Sequence, residues 1–167
     1  MEYIKLRESQ DIFRLGIMDA EGKIVKDNQG KEVCIEFDLA DVELPIKYNQ
    51  CINMIKSAKT ELKTKIIVIN KKQDHKGKQY LSYKEEQKIK AIKEFYNKAE
   101  QAMDLFLGEG GTKKFLNGRN PYWEMFEDLS EALEPYMSKM KLSLNDMTNR
   151  IKDKYSLKDE SEVLTSE

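Results

Sequence analysis

The chain has 167 residues, enough for one domain with a core of its own. Hydrophobic residues make up 40% and charged residues 35%, the latter above the usual quarter, and 29 basic residues nearly cancel 30 acidic ones to leave a net charge of -1. That balance argues against a nucleic-acid binder, which carries a basic excess or a strongly basic face. The longest wholly apolar run, Ile66 to Ile69, also falls far short of the ~20 residues that span a bilayer.

The opening Met1-Glu2-Tyr3-Ile4-Lys5 lacks an apolar stretch of signal-peptide length, so a cytoplasmic location is expected. From Ile12 to Leu39 the pattern is β. Ile12 to Met18 is followed by the turn Asp19-Ala20-Glu21-Gly22, a short run Lys23 to Lys26, and a second turn, Asp27-Asn28-Gln29-Gly30. Val33, Ile35, Phe37 and Leu39 then alternate strictly, which with the Gly-bearing turns is a hairpin signature. A lone hairpin is marginal in water, so its apolar face must lie on helices or on another chain.

Pro45 suits the first turn of a helix, where its missing N–H costs nothing. Tyr48, Ile52, Ile55, Lys59, Leu62, Ile66 and Ile69 follow at alternating spacings of four and three, a heptad seam with one defect at Lys59, beside which Ala58 is a small apolar neighbour. The polar stretch Asn70 to Gln79 ends this segment. Ser82 and Glu85 form a capping box for a second helix, whose stripe is Ile89, Ile92, Tyr96, Ala99, Met103 and Phe106, widened by Phe95 and Leu107. Two long helices with matching seams and a polar linker are expected to fold back as an antiparallel pair.

Gly108-Glu109-Gly110-Gly111 ends the second helix, with glycine as the left-handed cap. Asn120 and Pro121 are expected to open a third helix with the stripe Tyr122, Phe126, Leu129, Leu133, Tyr136 or Met137, and Met140. Ser143 with Asp146 predicts a fourth, shorter one through Met147, Ile151 and Tyr155, and the acidic tail from Lys158 is expected to be frayed. The fold class is therefore mainly α: an N-terminal β-hairpin or small antiparallel sheet over 1–42, then a helical region over 43–157 built on a long antiparallel hairpin and two further helices, then a tail over 158–167.

No catalytic, cofactor or metal signal emerges. The loop from Gly108 to Lys114 resembles a phosphate cradle but lacks the P-loop order, and it follows a helix, whose C-terminus repels anions. His75, the only histidine, lies in the polar linker with no Ser or Cys nucleophile nearby in sequence. Cys34 and Cys51 form no Cys-x-x-Cys pair. The lysines at 71, 72, 76 and 78 read as a solvated loop.

The segment Phe115 to Phe126 has the most binding character, because aromatic residues and Met there occupy more faces than one helix stripe can bury. Such residues are enriched at interfaces, and flexible thioethers adapt to varied partners. Phe115, Tyr122, Trp123, Met125, Met137 and Met140 are the candidate protein-binding residues, with core packing of the third helix as the alternative.

These features together resemble a family. The β-hairpin ending in Phe37-Asp38-Leu39-Ala40-Asp41, the helical pair, Met103-Asp104-Leu105-Phe106-Leu107-Gly108-Glu109-Gly110-Gly111-Thr112, Phe115-Leu116-Asn117-Gly118-Arg119-Asn120-Pro121, and a last block with Phe126-Glu127-Asp128-Leu129 and Ala132-Leu133-Glu134-Pro135-Tyr136 are similar to the tail assembly chaperones of long-tailed phages and prophages of Gram-positive bacteria. The similarity runs from about Ile12 to Tyr155 and is architectural. It implies a non-enzymatic protein without cofactors, expected to form a homo-oligomer, that binds the tape measure protein and in some cases the tail tube protein and leaves before the virion is complete. Two other readings predict different observations: a tail or head-tail connector subunit retained in the virion, and a small nucleic-acid-binding regulator using the linker lysines.

Overall fold

Asp19 and Asp27 organise the N-terminal region of the computed structural model, which describes residue 4 and residues 12–75 and 80–155. Asp19 Oδ1 accepts from the N–H groups of Glu21 and Lys23, both at 2.9 Å, and Asp27 Oδ1 accepts from Gln29 at 2.8 Å and Lys31 at 2.9 Å. Gly22 and Gly30 complete the two turns at φ +79° and +77°, a region open to glycine at no steric cost. The two turns are thus one motif repeated eight residues apart.

The strands are β1 (Ile12–Gly16) and β2 (Cys34–Asp38), paired antiparallel with Phe13 opposite Phe37 and Leu15 opposite Ile35. The run Lys23 to Lys26 joins no ladder and makes only the isolated bridges Met18 to Ile24 and Lys26 to Glu32. Between them, three segments close a ring of single hydrogen bonds: Ile17 N–H to Val33 O, Val33 N–H to Val25 O, and Val25 N–H to Ile17 O. A three-way corner of this kind satisfies the backbone polar groups without a third strand.

Helix α1 (Leu44–Lys71) opens as Pro45 predicts, with the Asp41 carboxylate accepting from Glu43 N–H and pairing with Lys47 at 3.2 Å. The hydrogen bond from Glu43 and then the Lys47 ammonium hold Asp41 below the ordinary aspartate value. Helix α2 (Tyr83–Leu107) starts with the full Ser82–Glu85 capping box. The α1 residues buried are Leu44, Cys51, Ile55, Ala58, Leu62 and Ile69, and those of α2 are Ala91, Phe95, Ala99, Ala102, Met103 and Phe106. The expected α2 stripe holds at Phe95, Ala99, Met103 and Phe106 but not at its start: Ile89 and Ile92 are exposed, and the small side chains of Ala91 and Ala102 are buried instead. On α1, Ala58 takes the seam and Lys59 leaves it.

Across the open face of this hairpin, Glu61 and Glu94 each bind both Lys65 and Lys98, in a closed ring of ion pairs 2.6–3.2 Å long. Lys98 first, then Lys65, lowers the Glu61 carboxyl, and the order is reversed for Glu94. Such exposed pairs add little stability but fix the register of the two helices.

After α2 the chain departs from expectation in detail. Gly108 has φ +87° with ψ 166°, and the left-handed residue is Gly110, which caps a short helix that the sequence did not suggest, α3 (Gly111–Leu116). The Asp104 carboxylate accepts from Gly110 N–H at 3.3 Å and Thr112 N–H at 2.8 Å, and the buried Thr112 hydroxyl donates to Glu100 O at 3.3 Å. The amides that resemble an anion cradle are therefore held by the chain's own carboxylate.

The expected third and fourth helices are one, α4 (Met125–Tyr155), with Pro135 inside it. Residues 120–124 stay irregular and Ser143 does not start a new helix. Among the described residues the fold is mainly helical, a two-stranded antiparallel sheet followed by four helices. Sheet and helices share a core: Phe37 stacks on Phe106 with centroids 5.2 Å apart, and Phe13 stacks on Tyr136. The expected frayed tail from Lys158, and the lysines at 76 and 78, lie outside the described residues. Among the described residues no helix is long and apolar enough to cross a membrane.

Candidate protein-binding site

Helix α4 runs antiparallel to α1. Near its start Glu127 pairs with Lys59, one turn later the Ser130 and Tyr48 hydroxyls are 2.7 Å apart, and further on Met140, Leu144 and Met147 reach the corner formed by Leu39, Val42 and Pro45. One seam organises the helix. Leu129, Leu133, Met137, Met140, Leu144, Met147 and Ile151 are spaced four, four, three, four, three and four, so they share a face.

That seam changes character along its length. Leu129 and Leu133 are 1% exposed and Met140 is 4% exposed, whereas Leu144, Met147 and Ile151 are 42%, 38% and 45% exposed. Beyond Met140 the seam residues are exposed while the apolar periodicity continues. Beside it lies an open groove of about 330 Å³, lined by Leu39, Val42 and Pro45 and by Met140, Leu144 and Met147, with Asp41, Asp146 and Arg150 as its charged residues. Apolar side chains combined with a few charged ones are the usual composition of a recognition groove.

The six candidate residues do not form one surface. Met125, 2% exposed, and Met140 are core residues, so Met125 is not available to a partner and Met140 offers only its edge to the groove. Phe115, Tyr122 and Met137 are partly buried against the core. The Tyr122 hydroxyl donates to Asp128 at 2.7 Å, and burial, with that bond second, pushes its phenol up to about 12. Trp123 alone is exposed, at 45%, with its ring 5.1 Å from that of Phe95 and Lys59 Nζ 5.0 Å from its centroid. Lys59, the defect in the α1 seam, thus has two partners, the Trp123 face and Glu127.

The groove and the distal stripe were hidden in the sequence by the supposed start of a new helix at Ser143. The unbroken spacing from Leu133 to Ile151 was the signal that one helix continues. Among the described residues, no three His, Cys, Asp or Glu side chains gather as metal ligands would. Compared with protein-family models, with curated proteins and with solved structures, the chain matches none.

Proposed function

We propose that this protein is a non-enzymatic tail assembly chaperone of a long-tailed phage, acting in the host cytoplasm to hold the tape measure protein, and in some systems the tail tube protein, until assembly. The observation that carries this reading is the apolar seam of α4, which continues uncovered through Leu144, Met147 and Ile151 beside the Leu39–Pro45 groove. A tape measure protein is a long helical chain with apolar stripes exposed until the tube encloses it, and an amphipathic client helix laid along this seam would be shielded by helix-in-groove packing. Repeated weak sites on one long client raise the total affinity through avidity.

Co-expression tests the proposal. The wild-type chain is expected to keep the tape measure protein soluble, and the double variant Met147→Asp with Ile151→Asp to lose most of that effect while its own circular dichroism and melting are unchanged. Rescue by the double variant equal to wild type would remove the groove as the client site; Trp123→Ala in parallel asks whether the client uses that exposed ring instead. Mass spectrometry of purified virions separates the chaperone from a retained tail subunit, since abundant protein in mature particles contradicts a chaperone that leaves.

A further inference from the structure

Nothing among the described residues covers the groove beside Met147, and the sequence holds a segment suited to it. Helix α4 ends at position 155, four residues past Ile151 and so in register with the same seam. Residues 156–167 follow, with the apolar pair Val163-Leu164 among acidic neighbours. Met147 lies eight residues before position 155, about 12 Å back along the helix. Val163 lies eight residues after it, up to about 26 Å of extended chain. The segment can therefore turn at the end of α4 and run back along the seam with slack to spare. The residues before β1 are a poorer occupant: Ile4, the one described residue before Ile12, is 90% exposed.

Charge selects the same segment. From Lys139 to position 155, α4 holds Lys139, Lys141, Arg150, Lys152 and Lys154 against Asp146 and Asp153. Residues 156–167 hold Asp159, Glu160, Glu162 and Glu167 against Lys158 alone, so the two stretches carry equal and opposite net charge, +3 and -3. The first half of α4 would repel the segment, since from Asn120 to Ser138 there are five carboxylates and no basic residue. The lysines of the α1/α2 hairpin beyond Lys59 are out of its reach, because Glu127 at that level lies about 42 Å along the helix from position 155. Within the groove, Asp41 is taken by Lys47 and by Glu43 N–H, whereas among the described residues Arg150 has no ion-pair partner.

We propose that residues 156–167 fold back onto the distal seam of α4, seating Val163 and Leu164 against Val42, Met147 and Ile151 with the flanking carboxylates near Arg150. Two apolar side chains and a few solvated charges make a weak contact between separate molecules. A tether this short supplies an effective concentration on the order of 1 mM, so an intrinsic Kd of ~0.2 mM keeps the groove covered most of the time. The segment is then a built-in competitor, and any other occupant of the groove binds about 5-fold more weakly for having to displace it. The inference concerns the groove and not its client, so it stands or falls without the tape measure protein.

Thiol labelling of the full chain tests it. Cys34→Ser removes the half-buried thiol, and Asp146→Cys places a new one in the groove while Met147, Arg150 and Ile151 stay intact. Cys51 is fully buried and reacts slowly. In this background Val163→Ser with Leu164→Ser, which leaves the charge unchanged, is expected to speed iodoacetamide labelling of the groove thiol ~5-fold. A synthetic peptide of residues 156–167, added at ~1 mM to that variant, is expected to restore most of the protection. Protection in the parent is expected to be the same at ~1 µM and ~100 µM protein, because the contact lies within one chain. Equal labelling rates with and without Val163 and Leu164, or a peptide without effect, would overturn the proposal. Protection that disappears on dilution would also overturn it and assign the groove to a second copy's segment. Failure here leaves the co-expression test untouched, since that one reads the solubility of the tape measure protein.

Discussion

Leu133→Ala is expected to lower the unfolding free energy by about 2–5 kcal/mol, and Leu144→Ala, three turns further along the same seam, by less than about 0.5 kcal/mol. The two leucines share a helix and a face, and differ in surroundings: Leu133 is 1% exposed and Leu144 is 42% exposed. Truncating the first leaves a cavity that close-packed neighbours cannot fill, and truncating the second removes methyl groups already in contact with water. Urea denaturation measures both, read as a shift of midpoint at constant slope. A cost at Leu144 as large as that at Leu133 would mean that the distal half of α4 is packed in the free protein, which would close the proposed client site.

The second large effect is expected at Gly111. A Cβ there would sit inside the van der Waals contact distance of Leu107 Cβ, on a side chain that cannot swing away at that atom. Gly111→Ala therefore has to move the start of α3, and with it the buried Thr112 that is held to Asp104 and Glu100. The expected loss is about 1–3 kcal/mol. Gly110→Ala is a useful contrast, since its Cβ would meet open space and its cost, about 1–2 kcal/mol, comes only from the left-handed backbone at φ +71°. Thermal melts of the two variants separate crowding from conformational strain: Leu107→Gly, which removes the Cβ itself, is expected to make Gly111→Ala less costly and to leave the cost of Gly110→Ala unchanged.

Local chemistry made much of this fold legible. Pro45 and the Ser82–Glu85 box mark helix starts because they act through adjacent backbone groups, and the two Asp-to-Gly turns work the same way. What was obscure depended on tertiary packing. Ile89 and Ile92 were expected in the α1/α2 contact, but helices that approach closely bury small residues, and Ala91 and Ala102 carry no such signal. Asn120-Pro121 and Ser143 are sound local start signals that are overridden: residues 120–124 stay irregular where Trp123 lies beside Phe95, and the seam from Leu133 to Ile151 carries one helix through Ser143. Among the candidate binding residues, Trp123 and Met125 read alike as surplus to the core. Met125 was not distinguishable from Trp123 until the start of α4 was known.

The complete burial of Cys51, on the buried α1 seam with Ile55 and Ala58, gives the hairpin a built-in clock. Its exposure is 0%, burial pushes its thiol up to about 12, and Cys34 is only half-buried. A thiol reagent requires an accessible thiolate, so in native buffer Cys34 is expected to label quickly and Cys51 only during excursions that part α1 from α2. Followed by intact-mass spectrometry without denaturant, the slow phase reports how often the hairpin opens. A bound partner that slows it stabilises the whole hairpin, and one that leaves it unchanged acts only on the distal half of α4.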